Sequence, residues 1–212
     1  MDEHVPDARH YDATYLKNGR PFSLAAQLTA ISEVAPSQVL EVGVGTGICV
    51  HALRRIGIPV TTLDVQPELR PDIVGDVRAI PAETGAFDVS SCCQVLEHLP
   101  FGDFGTAARE LARVTRRRLV LSLPDITRSV DLTVTLPLLG MRTLSCSLPV
   151  REPSDAWKSE RLRTMGHYWE IGACGVRAAT VDRLLREAGF ARVRSFRVRE
   201  IPWHRFFVAE AA

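Results

Sequence analysis

The chain has little with which to build a disulfide framework or a metal cluster: five cysteines stand scattered among 212 residues, in odd number and with no C-x-x-C pair. The adjacent Cys92-Cys93 is not a metal-ligand spacing, so the sequence predicts no metal, and the pattern suits a reducing compartment. Long hydrophobic runs are absent too. The fairly apolar stretch 130–150 is broken by Asp131, Pro137 and Arg142, and falls short of the roughly 20 apolar residues a membrane span needs. The opening Met1-Asp-Glu-His4 lacks the basic segment and apolar stretch of a secretory signal, so the expected location is cytoplasmic. Excess charge of one sign is also missing. The net charge is +1, which gives no global attraction to nucleic acid or membrane. The clusters Arg116–Arg118 and Arg192, Arg194, Arg197, Arg199 read as solvated element ends and strand faces. At 46% apolar and 24% charged residues, the composition is that of one globular α/β domain spanning 1–212.

Against these absences stands one dense signal, Val39-Leu-Glu-Val-Gly-Val-Gly-Thr-Gly47. Val39, Leu40 and Val42 form the short apolar run of a buried parallel strand. Gly43, Gly45 and Gly47 then strip the following turn of side chains, so a ligand can approach the backbone. Helical spacing resumes with Ile48, Cys49, Val50, Ala52 and Leu53, which aims free amide groups at the turn. The spacing is G-x-G-x-G; Ile48 stands where a dinucleotide fingerprint has its last glycine. Glu41, two residues before the first glycine, would repel a pyrophosphate but suits a cationic ligand.

Along the rest of the chain, Pro21 can open a helix whose apolar stripe is Phe22, Leu24, Ala25, Leu28, Ile31 and Val34, ended by Pro36. Residues 1–37 read as an N-terminal helical cap, with Tyr11 and Tyr15 one helical turn apart. After the glycine turn, a helix runs to Arg55 and closes at Gly57. Further strands follow at 59–63, at 73–74, at 87–93 and at 118–123, with a helix at 103–115 carrying Phe104, Ala107, Ala108, Leu111 and Val114. Beyond Pro124 the regular beat is lost, and 126–170 reads as an insertion near the active site, lid-like and packed over the sheet edge. Thr180 offers an N-cap and Gly189 a C-terminal stop for a last helix, followed by strands at 191–199 and 203–209 joined by a short Pro202 turn. Alternating strands and helices imply a mostly parallel sheet with ligands outside its carboxyl edge. Asp64, at the end of the second strand, can accept two hydrogen bonds from ribose hydroxyls.

The glycine turn with Glu41, together with Phe87-Asp88 and Leu96-Glu97-His98-Leu99, resembles the class I S-adenosylmethionine-dependent methyltransferases. The resemblance implies their Rossmann-like α/β fold: a mostly parallel seven-stranded sheet with an antiparallel C-terminal hairpin strand and helices on both faces. It implies S-adenosyl-L-methionine as cofactor, with S-adenosyl-L-homocysteine as product. Gly43, Gly45 and Gly47 would admit the cofactor, Glu41 would hold its ammonium, and Asp64 with Val65 would meet the ribose. Asp76 and the Val77 amide would meet the adenine, and Cys93 and Gln94 would lie beside the methionine. His98 is the candidate base or positioning group, since an imidazole can accept a proton near neutral pH. Gly166-His-Tyr-Trp-Glu170 is similar to the family's His-x-x-Glu segment, so Tyr11, Tyr15, Glu97, His98, His167, Tyr168 and Trp169 are the candidate substrate pocket. Trp169 and its aromatic neighbours can equally pin the insertion to the core. The implied activity is methyl transfer to a small-molecule acceptor. Two alternatives share the glycine turn: a nicotinamide-dependent oxidoreductase, against which Ile48 and Glu41 count, and a non-catalytic cofactor-binding or scaffolding module.

Overall fold

The computed structural model describes the backbone at 15–136, 142–149 and 152–212, and side chains at 15–128 and 152–212. Tyr11 and the rest of 1–14, the first part of the expected N-terminal cap, lie outside the described residues.

The first half of the chain lays down parallel strands. β1 (Val39–Val42) pairs in parallel with β2 (Val60–Asp64) on one side and β4 (Phe87–Cys93) on the other. β3 (Ile73–Val74) adds beyond β2, and β5 (Thr115–Pro124) beyond β4, both parallel. The chain closes with β8 (Phe190–Val198) and β9 (Ile201–Ala211), and β9 inserts antiparallel between β5 and β8. The order is therefore β3-β2-β1-β4-β5-β9-β8 in one seven-stranded sheet, mostly parallel with an antiparallel C-terminal hairpin as the resemblance implies.

Helices cover both faces. α1 (Arg20–Ser32) and α2 (Ile48–Arg55) pack with Val39, Val89, Val120, Phe206 and Val208 on one side. α3 (Phe104–Val114) and α5 (Ala178–Glu187) pack with Leu40, Leu63, Leu119, Leu121 and Phe207 on the other. Successive residues Phe206 and Phe207 thus serve opposite cores, as the two-residue period of a strand requires. All five apolar positions read into α3 are buried.

Several boundaries differ from the sequence reading. β5 starts at Thr115 because α3 runs directly into it, and the Thr115 hydroxyl donates to the Leu111 carbonyl at 2.6 Å. Thr180 lies inside α5 rather than at its cap, which is Arg177. Pro202 sits within β9; the hairpin turns at Arg199-Glu200. In α1 the inward residues are Ser23, Gln27, Ala30 and Ile31, while Phe22 is 51% exposed. The helix is rotated so that two polar side chains face the sheet's carboxyl edge, where they have partners. The stretch 126–170 is more regular than expected. It holds a separate two-stranded sheet, β6 (Ser129–Leu136) against β7 (Arg142–Pro149), and α4 (Asp155–Met165), capped by the Ser154 hydroxyl. Val130, Leu132, Val134 and Leu136 carry the period-two pattern of β6 in the sequence itself.

Trp169 belongs to the core rather than to a pocket wall. It is 1% exposed, meets the rings of Phe101 and Phe104 with centroids 4.9 and 5.8 Å away, and its indole N–H donates to the Leu99 carbonyl at 3.0 Å. Trp169→Ala is therefore expected to lower the unfolding free energy by about 3–5 kcal/mol, as for other buried aromatics. Trp157, 44% exposed, should cost far less on the same substitution. Guanidinium unfolding of both variants checks this; equal losses would contradict the placement.

Candidate active site

The site is assembled where β1 stops and the sheet reverses direction of growth. Past Val42 the backbone enters left-handed space, with φ of 83° at Gly43, 52° at Gly45 and 71° at Gly47. A Cβ at Gly43 would stand 2.5 Å from Val95 Cγ2, so only glycine lets the turn lie against the loop after β4. Gly47 is the N-cap of α2 and brings no side chain to the helix terminus. The turn is tied to β2 by the Gly43 amide on the Leu63 carbonyl at 2.8 Å and the Val44 amide on Asp64 Oδ2 at 2.8 Å.

Glu41 lies beneath this turn, 4% exposed. Gln27 Nε2 donates to Glu41 Oε1 at 2.7 Å and to Ser91 Oγ at 2.9 Å. Burial pushes the Glu41 carboxyl up to about 8, and the hydrogen bonds of Ser91 and Gln27 only partly oppose that. Its acidity is thus poised for a cation to arrive.

Two cavities open on this edge. The first is lined by Leu63, Asp64, Val65, Gly75, Asp76, Val77, His98 and Leu99; the second by Tyr15, Arg20, Ser23, Gln27, Glu41, Gly45, Cys93, Ser122 and His204. Gly43, Gln94 and Val95 line both, so the cavities adjoin across that ridge. Gln94 is itself in left-handed space at φ 57°, fixed by its amide on the Ser122 carbonyl at 2.9 Å and its side-chain NH2 on Ser122 Oγ at 3.1 Å.

The carboxylates of the first cavity differ in their ties. Each Asp64 oxygen accepts one backbone amide, from Gln66 at 2.9 Å and from Val44, which leaves lone pairs for a ligand. Asp76 is clasped by Arg78 through Nε and the terminal nitrogen, at 3.0 and 2.6 Å. Burial alone would raise its carboxyl; the Arg78 side chain and amide outweigh that and hold it below the usual range. Val77 is buried in the wall and Val65 is 44% exposed at the rim.

Of the predicted pocket residues, Tyr15 lines the second cavity under the Arg20 guanidinium, 4.3 Å from its ring centre. Glu97, His98, His167 and Tyr168 come together beside the first cavity, which His98 lines while Glu97 is fully buried behind it. The Tyr168 amide donates to the Glu97 carbonyl at 2.9 Å, and His98 Nδ1 lies 3.1 Å from the Gly166 carbonyl. Residues the sequence reading passed over also meet here: Arg20, Ser23, Gln27, Ser122 and His204. His204 comes from β9, its Nδ1 2.8 Å from Ser23 Oγ. Burial, with Arg20 and Arg161 nearby, pushes its imidazole down to about 3, so it stays neutral. Only the inward polar pair Ser23 and Gln27, four residues apart on one helix face, left a trace in the sequence.

Comparison with known proteins agrees with this geometry. Residues 40–121 match the family described as a methyltransferase domain. A ubiquinone biosynthesis O-methyltransferase of Xanthomonas oryzae pv. oryzae (strain PXO99A) is 29% identical over 139 residues, covering 58% of this chain and 56% of the relative. Its counterpart in Xanthomonas axonopodis pv. citri (strain 306) is 32% identical over 90 residues, 34% of this chain and 37% of the relative. The chain thus spans about half, or less, of the length of these curated relatives. Among solved structures, the N-methyltransferase NodS from Bradyrhizobium japonicum WM9, in complex with S-adenosyl-L-homocysteine, shares the fold at TM-score 0.61 and 17% identity, over 99% of this chain and 94% of that one. The 1,6-didemethyltoxoflavin-N1-methyltransferase of Burkholderia thailandensis does so at TM-score 0.59 and 16% identity, over 94% and 81%.

The raised carboxyl of Glu41 fixes the sign of a pH effect. The folded chain holds that proton up to about pH 8, whereas an exposed glutamic acid releases it near 4.5. Stability from this group is therefore complete below about pH 4.5 and declines as pH rises towards 8. Glu41→Gln should make the decline shallower in guanidinium unfolding between about pH 5 and 8; an unchanged slope would contradict the assignment.

Proposed function

We propose that this chain, a member of the class I S-adenosylmethionine-dependent methyltransferases, transfers the methyl group of S-adenosyl-L-methionine to a small-molecule acceptor. The observation that carries the reading is the pair of cavities joined at Gly43, Gln94 and Val95, with two carboxylates at one end and Glu41 at the other. That is the charge pattern of a nucleoside attached to an amino acid, with a sulfur cation at the junction. The small-molecule class is supported by the names of similar proteins, among them a methyltransferase solved with bound 1,6-didemethyltoxoflavin.

In this reading Asp64 accepts the ribose hydroxyls with its spare lone pairs, beside Val65. Asp76, shared with Arg78, and the Val77 amide face the adenine. Gly43, Gly45 and Gly47 give the backbone room at the cofactor. Glu41 takes the methionine ammonium, and Arg20, on the same cavity wall, is placed for its carboxylate. Burial, Glu41 foremost among its charged neighbours, pushes the Cys93 thiol up to about 12. It therefore stays protonated beside an electrophilic methyl group, which protects the site from methylating itself. The sulfonium carbon is already activated, so the residues' work is alignment, worth up to roughly 7–11 kcal/mol in favourable cases. Acceptors reach the methyl through the second cavity, past Tyr15. There the neutral His204 adds no positive charge against the sulfonium, and His98 stands at the rim of the first cavity.

Calorimetry tests the core of the proposal. Both S-adenosyl-L-methionine and S-adenosyl-L-homocysteine should bind, and NAD should not. Asp64→Ala should weaken S-adenosyl-L-homocysteine by about 10- to 100-fold, the worth of lost hydrogen bonds to a charged group. Because Glu41 starts protonated at pH 7, ligand binding should release a proton, visible as heat that varies with the buffer. Glu41→Gln should abolish that dependence. Heat from NAD alone would return the chain to hydride chemistry. Binding of the adenosyl ligands without turnover on any acceptor of a broad panel would make it a binding module.

A further inference from the structure

We propose that Glu97, His98 and His167 bind a divalent transition-metal ion of the zinc type. The three residues come from two distant segments: the short turn after β4, and the stretch that follows α4. The Tyr168-to-Glu97 and His98-to-Gly166 hydrogen bonds clamp those segments together. One ligand atom from each residue then lies within 4.8 Å of the others. An ion centred among atoms so spaced is about 2.8 Å from each, so closing to the ~2.0–2.2 Å of zinc bonds takes under about 1 Å per side chain.

Three features separate this cluster from a chance gathering of polar groups. Glu97 is fully buried, and neither of its carboxylate oxygens has a hydrogen-bond partner among the described residues. A buried carboxylate without a partner is costly unless something supplies positive charge or a proton. The imidazoles, next, are oriented from behind. His98 faces the Gly166 carbonyl through Nδ1, and His167 Nδ1 lies 2.6 Å from Glu170 Oε1. Glu170 is itself fully buried and held by Arg161 Nε at 2.7 Å. A ring that donates its Nδ1 proton to a carbonyl or carboxylate carries its lone pair on Nε2, the usual arrangement behind a metal-ligating histidine. Finally, the two rings stand nearly perpendicular, with centroids 4.8 Å apart and planes at 82°, so ligand atoms within 4.8 Å of each other come from differently oriented rings.

Two imidazole nitrogens and one carboxylate oxygen favour zinc or another first-row transition ion over magnesium, which prefers all-oxygen shells. Three protein ligands would leave a coordination position open, beside the cavity that His98 lines.

Metal binding is independent of methyl transfer, so the test needs no acceptor. The full chain, stripped with a chelator and dialysed, is titrated with Zn2+ and separately with Mg2+ by calorimetry. One Zn2+ per chain and no Mg2+ are expected. Glu97→Gln and His167→Gln should each weaken Zn2+ at least 100-fold without changing the affinity for S-adenosyl-L-homocysteine. Should those variants fail to fold, the absorption of Co2+ in the unmutated chain decides: visible d–d bands lacking a thiolate charge-transfer band support the site. No saturable Zn2+ binding, Zn2+ binding unaffected by both substitutions, or a thiolate band from Co2+ would each overturn the proposal.

Discussion

Glu41 is held where its ionised form is expensive, and much of the surrounding structure follows from that placement. The strand that carries it is central to the sheet, so little water reaches the carboxyl, which is 4% exposed and opens only on the second cavity. Gln27 and Ser91 satisfy its oxygens but bring no positive charge, leaving burial as the dominant influence. A cation entering above the glycine turn meets a group that gains by ionising. The same constraint explains why α1 presents Ser23 and Gln27 inward although its most apolar residue, Phe22, lies in solvent. A helix that buried a conventional apolar stripe here would take the Gln27 donor away from the carboxyl.

The glycine turn and the loop after β4 form one unit. Gly43 admits Val95 within a distance no side chain tolerates, and Gln94 adopts a left-handed backbone anchored on Ser122 at the end of β5. The ridge between the cavities is therefore built from the ends of β1, β4 and β5 together. This ridge lies where the sheet changes its direction of growth, which is where open α/β sheets bind ligands. The segment from Gly166 to Glu170 closes the far side. Its indole is sunk into the core while its imidazole and carboxylate face the Glu97 turn. One short stretch thus divides its residues between packing and chemistry by the direction each side chain takes.

Strands, helices and the glycine turn were legible because their signals are local. The buried run Val39–Val42, the spacing through α3 and the glycines at 43, 45 and 47 all state their structure within a few residues. Asp64 and Asp76 were legible for a related reason, since each follows directly on a readable strand. For 126–170, Pro124 and the scattered polar residues hide the alternation of β6. Trp169 was ambiguous because a large aromatic is equally suited to a core and to a flat ligand; only its neighbours, Phe101 and Phe104, settle which.

By itself, then, the sequence determined the order and type of the elements of the main sheet, and with them the edge at which ligand binding is proposed. Hydrophobic period and glycine placement act over a few residues and need no tertiary partner. The tertiary structure alone decided which distant side chains share a site: His204 of β9 with Ser23 of α1, and Glu97 with His167. Those pairings depend on strand order and on which way each strand's alternate faces point. Neither is written in the spacing of residues more than a hundred positions apart, nor in that of segments joined across an insertion. The acidity of Glu41 belongs to the same class. A carboxyl is shifted by the water it loses, and that loss exists only once the sheet has closed around it.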